Sequence, residues 1–266
     1  MKKLLFIGAG NMATAIIKGI VGGKLKSDYS IFACDPDQDK IAALRQLGVS
    51  DGIDTATASV DSDFIVLAVK PQNMDEVLPI LKAHMNRNAV VISIAAGISA
   101  DYIKNALGFD AKVVPVMPNT PLLLGNGATA MAQVAPVTED EFHKVAEIFR
   151  SAGKVAQIAP SQMVDVIPIN GSSPAYIYRF AKAFVEYAKE KGLEEQVALE
   201  LFCQSLIGSA QMMLETGKSI DELIAMVSSK GGTTLAGSAV LIDKEFESVV
   251  KDACEACAAR GYELAK

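Results

Sequence analysis

The stretch Gly8-Ala9-Gly10-Asn11-Met12-Ala13 follows directly on an apolar run at residues 4–7 and opens a helical pattern through Ile16, Ile17 and Ile20. A strand, a glycine turn and a helix in that order leave a chain few choices. Gly8 permits the tight turn, Gly10 lets backbone approach a pyrophosphate, and Ala13 allows close packing of helix on strand. The helix N-terminus adds free N–H donors and the positive end of its dipole. Asp35 ends the second apolar run 22 residues after Ala13, where a carboxylate would take the hydroxyls of an adenine ribose. These residues predict a βαβ unit that binds a dinucleotide.

Further short apolar runs stand at 31–34, 64–69, 90–94, 113–117 and 128–131. Most are continuously apolar, as strands buried on both faces require. Helical patterns lie between them at 37–47, 74–84 and 138–150, the last opened by the capping box Thr138-x-x-Glu141. Strand and helix alternate, so the first part reads as an α/β, doubly wound Rossmann-type sheet. After about Pro160 the strand signals stop. Helix-period segments take over at 175–191, 194–216, 220–227, 233–242 and 244–263, with Ser219-x-x-Glu222 as a second capping box and Gly192 and Gly217 as stops. The expected division is a Rossmann dinucleotide-binding domain at 1–160 and an all-α domain at 161–266.

The segment 197–214 carries Leu199, Leu201, Phe202, Leu206, Ile207, Met212, Met213 and Leu214, apolar on more than one face. About 105 residues of helix offer too little cover for it. Either the sheet domain or a second copy of the chain must bury this surface.

Composition removes several function classes. Twenty-five Lys and Arg against 31 Asp and Glu give a net charge of −6, which argues against a nucleic-acid or anionic-membrane partner. Cys34, Cys203, Cys254 and Cys257 are too scattered for a disulfide framework, so a reducing, cytoplasmic location is expected. Cys254-x-x-Cys257 has no second ligand pair, and the only histidines are His84 and His143, so no metal is expected. The N-terminus imitates a signal peptide, but its apolar core is short and Asn11 interrupts it. No continuous apolar run approaches 18 residues, so no membrane span is expected.

Ligands of open α/β sheets bind beyond the carboxyl ends of the strands. Val69, Lys70 and Pro71 close one strand, and Ser93-Ile94-Ala95-Ala96-Gly97 closes the next, so both loops should line the nucleotide crevice. The small side chains of Ala95 and Ala96 would admit a nicotinamide ribose. The helical half carries two clusters of small residues, Gly171-Ser172-Ser173-Pro174-Ala175 and Ser228-Ser229-Lys230-Gly231-Gly232-Thr233-Thr234. The second is a candidate pocket for a substrate carboxylate, made of hydroxyls and N–H groups at a helix start, although ordinary capping would use the same residues. Neither cluster holds a Cys, His, Asp or Glu. A reductase acting on a carbonyl usually needs a general acid on the reacting oxygen, whereas an iminium arrives already protonated.

With Val69-Lys70-Pro71-Gln72, Val116-Met117-Pro118-Asn119-Thr120-Pro121 and Ser228-Ser229-Lys230-Gly231-Gly232-Thr233-Thr234-Leu235-Ala236-Gly237, the chain resembles pyrroline-5-carboxylate reductases over nearly its whole length. The resemblance implies reduction of pyrroline-5-carboxylate to proline by NADH or NADPH. It implies that Thr234 donates a hydrogen bond to the ring nitrogen as the catalytic group. It further implies that Ser229, Gly231, Gly232 and Thr233 hold the carboxylate, and that the cofactor lies across Gly8, Ala9, Gly10, Asn11, Met12, Ala13, Asp35, Val69, Lys70, Pro71, Ala95 and Ala96. The helical domain is then a dimerisation domain, giving a homodimer often assembled into a decamer. Ser173 stands where the family more often has Gly, and Lys230 where it usually has Pro. Asp35, with Asp37 and Asp39 close behind, leads us to expect a preference for NADH.

Two other readings compete. A β-hydroxyacid dehydrogenase would look similar in its glycine loop, but its helical lysine has no counterpart here. A non-catalytic dinucleotide sensor would have no use for a hydroxyl-and-glycine pocket.

Overall fold

The computed structural model describes residues 1–265. The chain begins β1 (Lys2–Ile7), α1 (Asn11–Gly22), β2 (Tyr29–Cys34), α2 (Gln38–Arg45), β3 (Ser50–Asp51), α3 (Thr55–Ser59), β4 (Phe64–Leu67) and α4 (Met74–His84). It continues β5 (Val90–Ser93), α5 (Ala100–Leu107), β6 (Lys112–Met117), β7 (Gly127–Met131), α6 (Glu139–Arg150) and β8 (Gly153–Gln157). The strands form one sheet in the order β3-β2-β1-β4-β5-β6-β7-β8, parallel except between β6 and β7. Only nine residues, 118–126, join β6 to β7. A parallel return needs a crossover of a dozen or more, so β7 runs antiparallel.

Successive residues of the central strands feed opposite cores. Leu4, Phe6, Val66 and Ile92 pack with α1 and α6 on one face, while Leu5, Ile65, Leu67 and Val91 pack with α4 and α5 on the other. That explains why the strands read as unbroken apolar runs. Phe6 is fully buried, and truncating it to alanine would cost about 3–5 kcal/mol. The chain order reverses between β1 and β4, and a ligand crevice is expected at their carboxyl ends.

Past β8 come α7 (Ser173–Glu190), α8 (Glu195–Glu215), α9 (Ile220–Met226), α10 (Thr233–Asp243) and α11 (Phe246–Leu264). Gly192 and Gly217 take φ of +78° and +69°, the left-handed conformation that ends a helix cheaply only for glycine. The capping boxes at Thr138 and Ser219 are both formed.

By packing, the chain divides into one unit of Met1–Pro174 with the chain from Ala256 onward, and a second of Ala175–Glu255. The expected boundary at 160/161 marks the change of sequence period. Residues 160–174 nevertheless pack with the sheet: Asn170 Nδ2 donates to the carbonyls of Met117 (2.7 Å) and Ala128 (3.0 Å). The end of α11 joins the same unit, with Tyr262 Oη donating to Asp165 at 2.8 Å and a Cβ at Gly261 only 2.8 Å from Val164 Cγ1.

Inside the second unit, Phe180, Phe184, Phe202 and Phe246 form an aromatic cluster, Phe184 stacked on Phe202 with centroids 4.5 Å apart. Helix α8 buries none of its residues, and Leu201 is 67% exposed. Among the described residues, α8 is the one helix long and apolar enough to cross a membrane by length and composition. Glu200, Gln204 and Gln211 interrupt it.

Candidate active site

The glycine turn is wedged between the ends of β2 and β4. Gly8 has φ +102°, and a Cβ there would lie 2.6 Å from the Ala68 carbonyl oxygen, so only glycine fits. Its N–H donates to the Cys34 carbonyl at 2.8 Å. Gly10 caps α1 in extended conformation, with no side-chain cap and open space where its Cβ would stand. The first N–H groups of α1 are thus left to an external acceptor, and a pyrophosphate suits them in charge and shape. Ala9 and Ala13 are buried, Met12 is half-buried and Asn11 is exposed.

Asp35 closes the crevice at the end of β2, with its side chain only 10% exposed. Oδ2 accepts from the Ala9 N–H at 2.8 Å and Oδ1 from the Asp37 N–H at 2.9 Å. Asp37 caps α2 by accepting from the N–H groups of Asp39 and Lys40. The Lys40 ammonium lies 3.3 Å from Asp37 and 3.8 Å from Asp35. Its hydrogen bond holds the Asp37 carboxyl below the usual carboxylate range. The neighbouring Cys34 thiol is pushed up to about 11 by burial, which removes it as a nucleophile.

Val69, Lys70 and Pro71 follow β4, with Lys70 exposed ahead of a 3₁₀ turn at Pro71–Asn73. Ala95 is buried and Ala96 exposed in the loop after β5, and Gly97 turns it at φ +76°. All the expected cofactor residues therefore stand at the carboxyl ends of β1, β2, β4 and β5, as one crevice requires. A cavity of about 320 Å³ lies beside this loop, bounded by Ser93, Ala95, Ile98, Met117 and Val164.

The expected substrate residues lie on the other unit. Gly231 takes φ +76°, and Gly232 caps α10 with no side-chain cap, its N–H donating to the Ser229 carbonyl at 2.9 Å. A Cβ on Gly232 would meet Ser229 Oγ at 2.7 Å. This turn folds the Ser229 side chain over the helix start, where Thr233 and Thr234 begin α10, exposed. The arrangement can hold an anion by N–H groups and hydroxyls, and no titratable side chain other than Lys230 lies within the cluster. The other small-residue cluster belongs to the sheet unit: Gly171 ends a π-helical turn at Ile167–Gly171, and Ser172 Oγ lies 3.3 Å from Cys257 Sγ. Among the described residues, no group of three Cys, His, Asp or Glu could hold a metal.

Two structural supports near the strand ends escape a reading of the sequence. Asn119 Oδ1 accepts from the Ala128 N–H at 2.8 Å, shaping the turn after β6, and Asn170 bridges β6 and β7. A buried asparagine has no periodicity; only the presence of each beside a Pro- or Gly-containing turn hints at it.

Residues 160–264 match the family model for pyrroline-5-carboxylate reductase dimerisation, and residues 3–97 match the model for NADP oxidoreductase, coenzyme F420-dependent. The chain is 37% identical to the pyrroline-5-carboxylate reductase of Escherichia coli (strain K12) over 266 residues, covering 100% of this chain and 99% of the relative. The solved pyrroline-5-carboxylate reductase from Coxiella burnetii superposes with a TM-score of 0.90 at 31% identity, over 99% and 98% of the two chains. The Plasmodium falciparum pyrroline carboxylate reductase with NADP bound gives 0.90 at 27% identity, over 100% and 98%.

Proposed function

The chain belongs to the pyrroline-5-carboxylate reductase family, and from that premise we propose how its residues share the reaction. It is an NAD(P)H-dependent oxidoreductase that reduces the C=N bond of 1-pyrroline-5-carboxylate to give proline. The observation that carries this reading is the pairing, in one chain, of an uncapped helix start behind a glycine turn with a second uncapped helix start ringed by hydroxyls. The first suits a pyrophosphate and the second a carboxylate.

Gly8, Ala9, Gly10, Asn11, Met12 and Ala13 hold the cofactor's pyrophosphate, Asp35 its adenine ribose, and Val69, Lys70, Pro71, Ala95 and Ala96 its nicotinamide half. When bound, the reduced nicotinamide supplies a hydride to the imine carbon. Ser229, Gly231, Gly232 and Thr233 hold the substrate carboxylate. Thr234 donates a hydrogen bond to the ring nitrogen, whose lone pair forms as the C=N bond is reduced. No side chain need act as a general acid, because the substrate brings its own proton. Catalysis then rests on placing two reactants together.

NADH is the preferred reductant, because a 2′-phosphate at the end of β2 would meet Asp35, Asp37 and Asp39, against which stand Lys40, already paired with Asp37 and Asp35, and Arg45, already paired with Asp51. The exposed apolar face of α8 is covered by a second copy of the chain, as its position inside the dimerisation match supports. Assembly beyond the homodimer, to a decamer, is the further expectation. A net charge of −6 speaks against nucleic-acid and anionic-membrane partners, and four free thiols fit a reducing cytoplasm. The test is direct: purified protein with pyrroline-5-carboxylate should oxidise NADH or NADPH, followed by absorbance. Absence of turnover with either cofactor would overturn the reading.

A further inference from the structure

We infer that Asp35 is a positioning residue for the pyrophosphate turn, acting through the Ala9 N–H, in addition to its place beside the ribose. The inference rests on reading Gly8–Ala13 as that turn. Two successive N–H groups of the turn are held by the end of β2: Gly8 donates to the Cys34 carbonyl and Ala9 to Asp35 Oδ2, each at 2.8 Å. Ala9 is 4% exposed, so solvent cannot replace the carboxylate as its acceptor. The same carboxylate spends Oδ1 on the Asp37 N–H, which fixes the start of the α2 cap. One half-buried carboxylate therefore joins the glycine turn to the segment carrying Asp37, Asp39 and Lys40. Gly10 follows Ala9 immediately and has no side-chain contact of its own to hold it, so the direction of the free N–H groups of α1 depends on how Ala9 is fixed.

A residue that only receives ribose hydroxyls behaves differently from one that also shapes the turn. The first should matter only to ligands that carry those hydroxyls. The second should matter to every ligand that carries the pyrophosphate.

The probes are NADH and its reduced analogue with a 2′,3′-dideoxyadenosine half, titrated against the intact protein by nicotinamide fluorescence. This readout needs no turnover and so stands apart from the identity of the substrate. In Asp35→Asn, which keeps one strong acceptor oxygen for two N–H donors, the Kd of both probes should rise at least fivefold. With NADH and substrate, KM should rise while kcat at saturation stays within about twofold. Asp35→Ser, with a shorter acceptor, is the second variant and should weaken the dideoxy analogue likewise, so a folding failure of one does not end the test. Weakened NADH binding with unchanged binding of the dideoxy analogue, in whichever variant retains the wild-type melting profile, would overturn the inference. Loss of turnover with these Kd shifts intact would bear on the substrate reading alone.

Discussion

The side-chain amide of Asn170 donates to the carbonyl of Met117 at 2.7 Å, across 53 residues of sequence, and so fastens the π-helical turn before α7 to the end of β6. Its second donor contact, to Ala128, reaches β7. Among the described residues its Oδ1 has no hydrogen-bond partner, so the side chain acts here through its donors.

Asn170→Ala should therefore destabilise the sheet unit by about 1–3 kcal/mol, since it leaves the buried Met117 carbonyl and the part-buried Ala128 carbonyl without their donor. At fixed protein concentration the melting temperature should fall by roughly 5–10 °C. A shift below about 1 °C would mean that water satisfies both carbonyls.

Thr234→Ala should lower kcat by about 10- to 100-fold, the effect of removing one oriented hydrogen bond of ~1.5–3 kcal/mol at the reacting nitrogen. The KM for the cofactor should change little. Near wild-type kinetics would remove Thr234 from the site.

Wild-type protein should favour NADH over NADPH in kcat/KM by about tenfold to a thousandfold, a like-charge penalty of ~1–4 kcal/mol. Asp35→Ser should move the ratio toward NADPH even as both absolute affinities fall. An equal or reversed preference in the wild type would show that Lys40 outweighs the three carboxylates at the end of β2.

The chain should sediment at micromolar concentration as a dimer or larger, and Leu201→Glu should shift it toward the monomer. Leu201 is 67% exposed on a helix that buries nothing within one chain, and a desolvated carboxylate there is costly. Only a 28 kDa species in the wild type would refute a dimer.

Glu141 links α6 to β6: it accepts from Thr138 at 3.0 Å and from Lys112 Nζ at 2.6 Å. Burial pushes its carboxyl upward, but the Lys112 and Thr138 hydrogen bonds outweigh this and hold it below the usual range. A carboxyl lowered by folding adds stability that is full above its unfolded value of about 4.3 and is lost as pH falls through its folded value. Glu141→Gln should thus cost about 1 kcal/mol at pH 7 and progressively less below about pH 4. A melting-temperature difference that does not shrink on acidification would contradict this.

What the sequence declares openly are the local devices. The helix 74–84 appears as read, and Thr138, Ser219, Gly192 and Gly217 do at helix ends what their side chains, or lack of one, dictate. Strand β8 is hidden because Gly153–Gln157 is short, polar and largely exposed, lacking the apolar run that marks its neighbours. β3 has only two residues and exists through pairing with β2. The glycine turn is legible as a strand–turn–helix junction because its geometry is fixed within six residues. The double hydrogen bond of Asp35 is not, since position alone shows a carboxylate's place and not which donors reach it.

Helix α8 leaves all its residues at least partly exposed within one chain, and that makes stability a function of abundance. For a chain that completes itself by pairing, each tenfold dilution removes roughly 1.4 kcal/mol from the paired state. The melting temperature should climb with concentration, and low expression alone would expose the α8 face to proteases and to other apolar surfaces. A cell making too little of this protein would lose it faster than in proportion.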